Sequence, residues 1–316
     1  MYGQALGVSR KPSRYAADAG SAEAGAIFAG MPVDADLAVK KARVLRRLGE
    51  VRRVIVALSG GVDSAVLLGL AVEALGRNGV LAVTGRSPAV PETDIEDALR
   101  VAAQLGVPHE VVTTWELDRP GYVANAGDRC YHCRVELFEV LSKIATSRGF
   151  PALAYGAISD DVGEDRPGMR AAAEKGVLAP LLEADLGKAE VRSLAAELGL
   201  EVRDKPAAAC LASRIPAGTE VSPRRLREVG DAEAALRRLG LRQVRVRHHG
   251  EIGRVETDDE GFVLLRDPVL RAAAAAALRA AGFRFVALDL DGYRAGSVAG
   301  SGSGLLRIGP TADRGQ

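Results

Sequence analysis

At 316 residues, 47% of them hydrophobic and 26% charged, the chain can bury a sizeable core, which excludes disorder as a whole and predicts one large domain plus a smaller one. The 42 Lys and Arg balance 41 Asp and Glu to a formal charge of +1, so no whole-chain field draws the protein to nucleic acid or to an anionic membrane. No apolar run reaches the roughly 20 residues of a membrane span, and the charged-then-apolar pattern of a secretory signal is absent, so a cytoplasmic protein without nucleic-acid or membrane partners is expected.

Residues 1–33, rich in Ala, Gly and Ser and without helical periodicity, read as a poorly ordered extension. From there the pattern alternates: strand 51–58, helix 64–76, strand 79–84, helix 93–105, strand 108–113, helix 133–147, strand 150–156, helix 187–199. This predicts an α/β domain over 34–220 with a mostly parallel sheet. Ile95, Ala98, Leu99, Ala102 and Leu105 form one stripe, which sets helix 93–105 on a sheet face, whereas helix 64–76 is apolar nearly all round and reads as buried. Ser222-Pro223 is a good cap and first-turn pair for a helix with Leu226, Val229, Leu236 and Leu239 inward. Strands at 242–248, 251–256 and 262–265, a helix at 268–281 and a strand at 284–289 complete a small α+β domain over 221–294, followed by a flexible tail at 295–316.

The stretch "VIVALSGGVDSAVLLGL" (54–70) is a strand, a glycine-rich turn and a helix in succession. Such a turn gathers backbone N–H groups, a helix N-terminus and the hydroxyls of Ser59 and Ser64 around an anion-sized space. It has neither the Gly-Lys-Ser/Thr of a P-loop nor the Gly-x-Gly-x-x-Gly of a dinucleotide fold. With Asp63 where a lysine would stand, the loop can hold pyrophosphate through Ser59, Gly60, Gly61, Ser64 and a Mg²⁺ on Asp63. In this it resembles the PP-loop ATP pyrophosphatases, with their adenine nucleotide alpha hydrolase-like fold, which split ATP between its α and β phosphates and transfer AMP to an oxygen.

The chain has 3 cysteines, Cys130 and Cys133 in "CYHC" just ahead of a predicted helix and Cys210 in the loop before the second domain. A disulfide framework is not expected in a reducing compartment, so they are packing residues or chemistry. A zinc site would need a fourth ligand, with His132, His248 or His249 as candidates; three thiolates alone suit an iron–sulfur cluster with one iron left open, able to carry an extra sulfide.

"RCYHCR", the run from Asp160 to Leu200, "DKPAAACLASRIPAGTEV" and "DLDGYRAG" together closely resemble the LarE family, over about residues 37–296. That resemblance implies an ATP-dependent sulfurtransferase that builds the nickel-pincer cofactor of lactate racemase. It adenylates a carboxylate of a pyridinium biscarboxylate mononucleotide and displaces AMP with sulfur to leave a thiocarboxylate. Some members sacrifice the sulfur of the cysteine matching Cys210, which becomes dehydroalanine. Others, with the extra Cys-x-x-Cys, resemble cluster-bearing tRNA thiolases. The pair Cys130 and Cys133 favours a 4Fe-4S cluster on Cys130, Cys133 and Cys210, fed by sulfide or another sulfur donor.

Ligands of open α/β sheets sit beyond the carboxyl ends of the strands, which points to Thr84, Ser87, Gly156 and Asp160, with Arg166 and Arg170 following. In "QVRVRHH" the period of two sets Arg245 and Arg247 on one face and Val244 and Val246 on the other, so the arginines suit a substrate phosphate unless they only meet solvent. Ser213, Arg214 and Arg294 are further phosphate candidates. A homo-oligomer is expected. The rival functions are a tRNA thiolase, disfavoured by a pI near 7.7, an ammonia-using ligase, which has no use for the cysteines, and a non-catalytic ATP-binding module.

Overall fold

The computed structural model describes residues 33–162, 167–206 and 209–293. The extension expected at 1–33 (save its last residue), the tail expected at 295–316, and the candidates Arg166 and Arg294 lie outside the described residues.

Sequence gave no sign of the first element, helix α1 (Val33–Gly49), whose Val44 and Leu48 are buried. Then strand and helix alternate as the hydrophobic pattern predicts. The order is β1 (Val54–Ala57), α2 (Val62–Leu75), β2 (Val80–Arg86), α3 (Glu92–Leu105), β3 (His109–Thr113), the short α4 (Pro120–Ala124), α5 (Arg129–Arg148) and β4 (Ala152–Tyr155). The sheet is parallel in the order β3-β2-β1-β4, with Val54 opposite both Val80 and Ala152. All four residues of β1 are buried, as a central parallel strand with both faces covered requires. Phe138, Leu141 and Ala145 of α5 pack with Ile55, Leu81 and Leu153 from one face of that sheet.

Helix α2 is buried along most of its length, as its all-round apolar sequence predicts. In α3, Ile95, Ala98, Val101 and Ala102 are buried, but Leu99 is exposed. The inward arc is centred on Ala98 and Val101, and the next position lies roughly 100° further round the helix. Helices α6 (Pro167–Glu174), α7 (Pro180–Glu183) and α8 (Lys188–Glu197) follow. A bridge between Ala154 and Leu178 extends the sheet beyond β4.

The C-terminal part comprises α9 (Pro223–Arg238), β5 (Val244–His249), β6 (Ile252–Thr257), α10 (Asp259–Leu264), α11 (Pro268–Ala281) and β7 (Phe285–Leu288). β5 and β6 are antiparallel, while β6 and β7 are parallel. Ser222 caps α9 by accepting the Arg225 N–H, as its Ser-Pro start predicts. The strand expected at 262–265 is instead the end of α10: Asp258 accepts the Gly261 N–H at 2.9 Å and two more acidic residues fill the first turn, which outweighs a short apolar run. One apolar cluster joins Leu226, Val229 and Leu236 of α9, Val246 of β5 and Leu278 of α11 to Tyr122, Leu211, Ala212 and Ile215 from the earlier part of the chain. Among the described residues no helix is long and apolar enough to cross a membrane.

Candidate active site

The turn after β1 is held in shape by its own hydroxyls. Ser64 Oγ donates to the Gly61 carbonyl at 3.0 Å and accepts from the Ser59 N–H at 3.1 Å, and it lies 3.0 Å from Ser59 Oγ. The first intrahelical bond of α2 runs from Ala65 N–H to Gly61 C=O. The N–H groups of Val62, Asp63 and Ser64 therefore head the helix with no intrahelical carbonyl to meet them, the arrangement that binds phosphate. Gly60 has φ +76°, and a Cβ there would collide with the Asp94 carbonyl. A Cβ on Gly156 would stand 2.7 Å from the Ser64 nitrogen, so β4 presses its exit directly against the loop.

Two lysines that sequence reasoning missed reach this loop from far along the chain. Lys188 Nζ donates to both carboxylate oxygens of Asp63, each at 2.8 Å. Asp160 fixes the start of α8 from which that lysine extends, its Oδ2 accepting the Lys188 N–H at 2.6 Å. Lys205 Nζ donates to the Gly60 carbonyl at 3.0 Å and to Asp94 at 2.8 Å, and pairs with Asp97. Asp63 thus suits a Mg²⁺ chemically, but here both its oxygens serve Lys188.

Thr84 lies near the loop with its hydroxyl already engaged: Oγ1 donates to Leu58 C=O at 2.7 Å and accepts from His109 Nε2 at 2.8 Å. That sets the His109 tautomer and leaves its buried Nδ1 without a partner among the described residues. Burial holds the His109 imidazole below the usual histidine value. Ser87 is likewise buried, its Oγ accepting the Ala89 N–H at 3.2 Å.

The first turn of α5 contains Cys130 and Cys133, not the segment ahead of it as the sequence suggested, so the two stand three apart on one helical face. Cys210 opens the 3₁₀ turn Leu211–Arg214, and its neighbour Leu211 donates to Ala89 C=O at 2.8 Å. Cys130 is exposed while Cys133 and Cys210 are partly buried, both against the apolar cluster that contains Tyr122. Burial pushes the Cys133 thiol up, with Glu116 and Cys210 nearby adding to the shift. Asn125, at φ 50°, ties the two cysteine segments together. Its Nδ2 donates to the carbonyls of Pro216 and Thr219 at 2.8 and 2.9 Å, and its Oδ1 accepts from Arg129 at 2.6 Å.

The histidines weighed as a fourth zinc ligand are otherwise occupied: His132 meets Asp128 at 3.2 Å, His248 meets Glu228 at 2.9 Å, and His249 accepts from Arg254 at 3.2 Å. Three thiols drawn from two adjoining segments suit a cluster in kind. Among the described residues, however, no group of three or more His, Cys, Asp or Glu side chains stands in metal-holding geometry.

The expected phosphate-binding arginines fall into two classes. Arg214 is buried and forked onto Glu233, Nε to Oε1 at 2.7 Å and Nη2 to Oε2 at 3.2 Å, and it also donates to Ser213 Oγ at 2.8 Å. Arg247 is forked onto Glu256, both bonds at 3.0 Å, and donates to the Ser213 carbonyl at 2.9 Å. Arg245 has no salt bridge among the described residues. It donates to Tyr293 Oη at 2.7 Å and lies 4.4 Å over that ring. Burial, together with the nearby Arg214 and Arg247 charges, holds its guanidinium below the usual arginine value. One cavity is lined by Arg245, Arg214, Arg242, Lys205, Ala209 and Tyr293. Arg170, by contrast, lies over the Tyr131 ring at 4.5 Å and pairs with Glu174.

A family model described as NAD synthase matches residues 41–120, the segment that carries the loop. The chain is 40% identical to an uncharacterized protein of Synechocystis sp. over 79% of this chain and 93% of that one. It is 37% identical to the pyridinium-3,5-bisthiocarboxylic acid mononucleotide synthase of Lactiplantibacillus plantarum, over 84% of this chain and 95% of the relative. The chain belongs to the LarE family. A tRNA-specific 2-thiouridylase of Azorhizobium caulinodans is 34% identical, over 49% of each chain. As a LarE-family member built on a PP-loop sheet, the chain is an ATP-dependent sulfurtransferase. Besides Lys188 and Lys205, sequence reasoning also passed over Arg242 of the cavity; the only signal for all three was a basic residue in a segment otherwise singled out.

Proposed function

We propose that the protein adenylates a carboxylate of a pyridinium biscarboxylate mononucleotide and exchanges the AMP for sulfur, giving the thiocarboxylate used in nickel-pincer cofactor assembly. The observation that carries this reading is the single cavity shared by Lys205, which is bonded to the loop glycine Gly60, by Arg245 and Arg214, and by Ala209 next to Cys210. A nucleotide phosphate at Arg245 would set the rest of the substrate between the ATP loop and the cysteines. The relative's printed name, a bisthiocarboxylic acid mononucleotide synthase, supports the same substrate class.

In this mechanism the N–H groups of Val62, Asp63 and Ser64 hold the departing pyrophosphate. Lys188 and Asp63 stand at the same loop: the lysine offers charge to the phosphates, and the carboxylate can hold a Mg²⁺ once it shares the lysine. A carboxylate oxygen of the substrate attacks the α-phosphorus as the α–β bridging bond breaks, and pyrophosphate leaves. Sulfur then bonds to the activated carbonyl carbon while the C–O bond to AMP breaks. AMP carries away the electron pair. We infer that Cys130, Cys133 and Cys210 are the residues that would hold a 4Fe-4S cluster, which would supply sulfide-level sulfur to this step. Arg245, a cavity arginine with no salt bridge among the described residues, orients the substrate by its phosphate.

The test is product analysis with the purified full chain. AMP and pyrophosphate should appear in proportion to thiocarboxylate, and only when the mononucleotide is present. Substrate-dependent ADP and inorganic phosphate would overturn the reading, as would AMP release driven by tRNA in place of the mononucleotide.

A further inference from the structure

Two polar atoms in the segments that pack on the cysteine-bearing helix α5 have no hydrogen-bond partner among the described residues: Tyr122 Oη and Glu116 Oε2. Both residues are almost fully buried, Tyr122 at 1% and Glu116 at 2% exposure. Leaving such groups unpaired costs roughly 1–3 kcal/mol each, so their retention in an apolar cluster calls for a partner that arrives later. Their surroundings say what kind. Tyr122 belongs to the cluster against which Cys133 and Cys210 pack. Glu116 opens the turn Glu116–Asp118, which packs on the cysteine-bearing helix α5.

The two orphans are complementary: a phenol O–H that donates and a carboxyl oxygen that accepts. Hydrosulfide has the matching pair, a sulfur lone pair to accept and an S–H to donate. We propose that Tyr122 and Glu116 bind the sulfur in transit, Tyr122 Oη–H donating to it and Glu116 Oε2 accepting from its S–H. This rests on the sulfurtransferase reading and names the two residues that position its sulfur.

The probe is sodium sulfide, added anaerobically to full-length wild type, Tyr122→Phe and Glu116→Gln after incubation with iron and sulfide. Iron content is measured first. With equal iron, both variants should bind added sulfide about tenfold more weakly in a visible-absorption titration, and KM for sulfide should rise by a similar factor while KM for ATP stays constant. Both substitutions keep the side-chain shape, and Glu116→Gln stands in if Tyr122→Phe loses iron. Unchanged sulfide binding and KM in both variants would overturn the inference. Wild-type protein that takes up no iron would defeat the cluster reading instead. The contact is then read on the Cys210 sulfur itself: single-turnover conversion of Cys210 to dehydroalanine should slow about tenfold in Tyr122→Phe, and an equal rate overturns the inference. No pyrophosphate release from wild type would defeat the adenylation reading, and sulfide binding would still decide the role of the pair.

Discussion

Lys188 Nζ sits 2.8 Å from each carboxylate oxygen of Asp63, so the lysine that the glycine-rich loop lacks in its own sequence is supplied from 125 residues further on. Because the lysine competes for the oxygens a Mg²⁺ would use, its removal has two opposite effects. Lys188→Ala should lower kcat for pyrophosphate release and raise KM for ATP about tenfold or more, while lowering the Mg²⁺ concentration needed for half-maximal rate. Asp63→Asn should lose rate without that gain in Mg²⁺ affinity. A Mg²⁺ titration of both variants decides the point, since an unchanged requirement in Lys188→Ala would show that the ion binds elsewhere.

The arginines should separate by partner. Arg245→Ala removes a cavity cation that has no salt bridge among the described residues, so KM for the mononucleotide should rise at least tenfold with KM for ATP unchanged. Arg247→Ala and Arg214→Ala remove the forked partner of buried Glu256 or Glu233, which keep only Arg254 or Arg237, and each should cost about 1–3 kcal/mol of stability. Urea unfolding and steady-state kinetics on the three variants separate the roles.

Sulfur origin is read from mass. Anaerobic reconstitution should give a brown protein, and any one of Cys130→Ala, Cys133→Ala or Cys210→Ala should prevent or weaken it. After limited turnover with sulfide the intact mass should be unchanged. Loss of one hydrogen sulfide at Cys210, with activity retained in Cys130→Ala and Cys133→Ala, would instead show sacrificial transfer.

Asn125 makes a prediction about alignment. Asn125→Ala deletes the bonds to Pro216 and Thr219 and places a less tolerant residue at φ 50°, for a loss of about 2–4 kcal/mol. Iron uptake should fall with it, because Cys210 would no longer be held against α5. Asn125→Asp, which keeps the left-handed preference but loses the donor, should lie between the two in iron content.

The parallel sheet and its crossover helices were legible in sequence because period and turn chemistry agree over 54–113. So was the loop, where residue types alone dictate a helix-terminal anion site. What sequence could not show was partnership. The strand period set Arg245 and Arg247 on one face, but Glu256 pairs directly with Arg245 in the register and still bonds diagonally to Arg247. That choice depends on side-chain reach. Lys188 reads along the chain as one more charge near a helix start, and only the return of α8 beside α2 brings it to Asp63. The strand expected at 262–265 failed because an apolar run of that length has no decisive period, and the Asp258 cap lay just outside it.

Gly60 and Gly156 lie so close to Asp94 and to the Ser64 nitrogen that neither position has room for a side chain, and the packed backbone around them fixes the shape of the loop. A flexible glycine turn would have to be ordered by each incoming nucleotide, and part of every binding event would go into that ordering. Here the cost falls on folding, once, and the cradle keeps its shape between turnovers. A cradle of fixed shape would let pyrophosphate leave without the loop reopening, and the expected slow step is then on the sulfur side of the site.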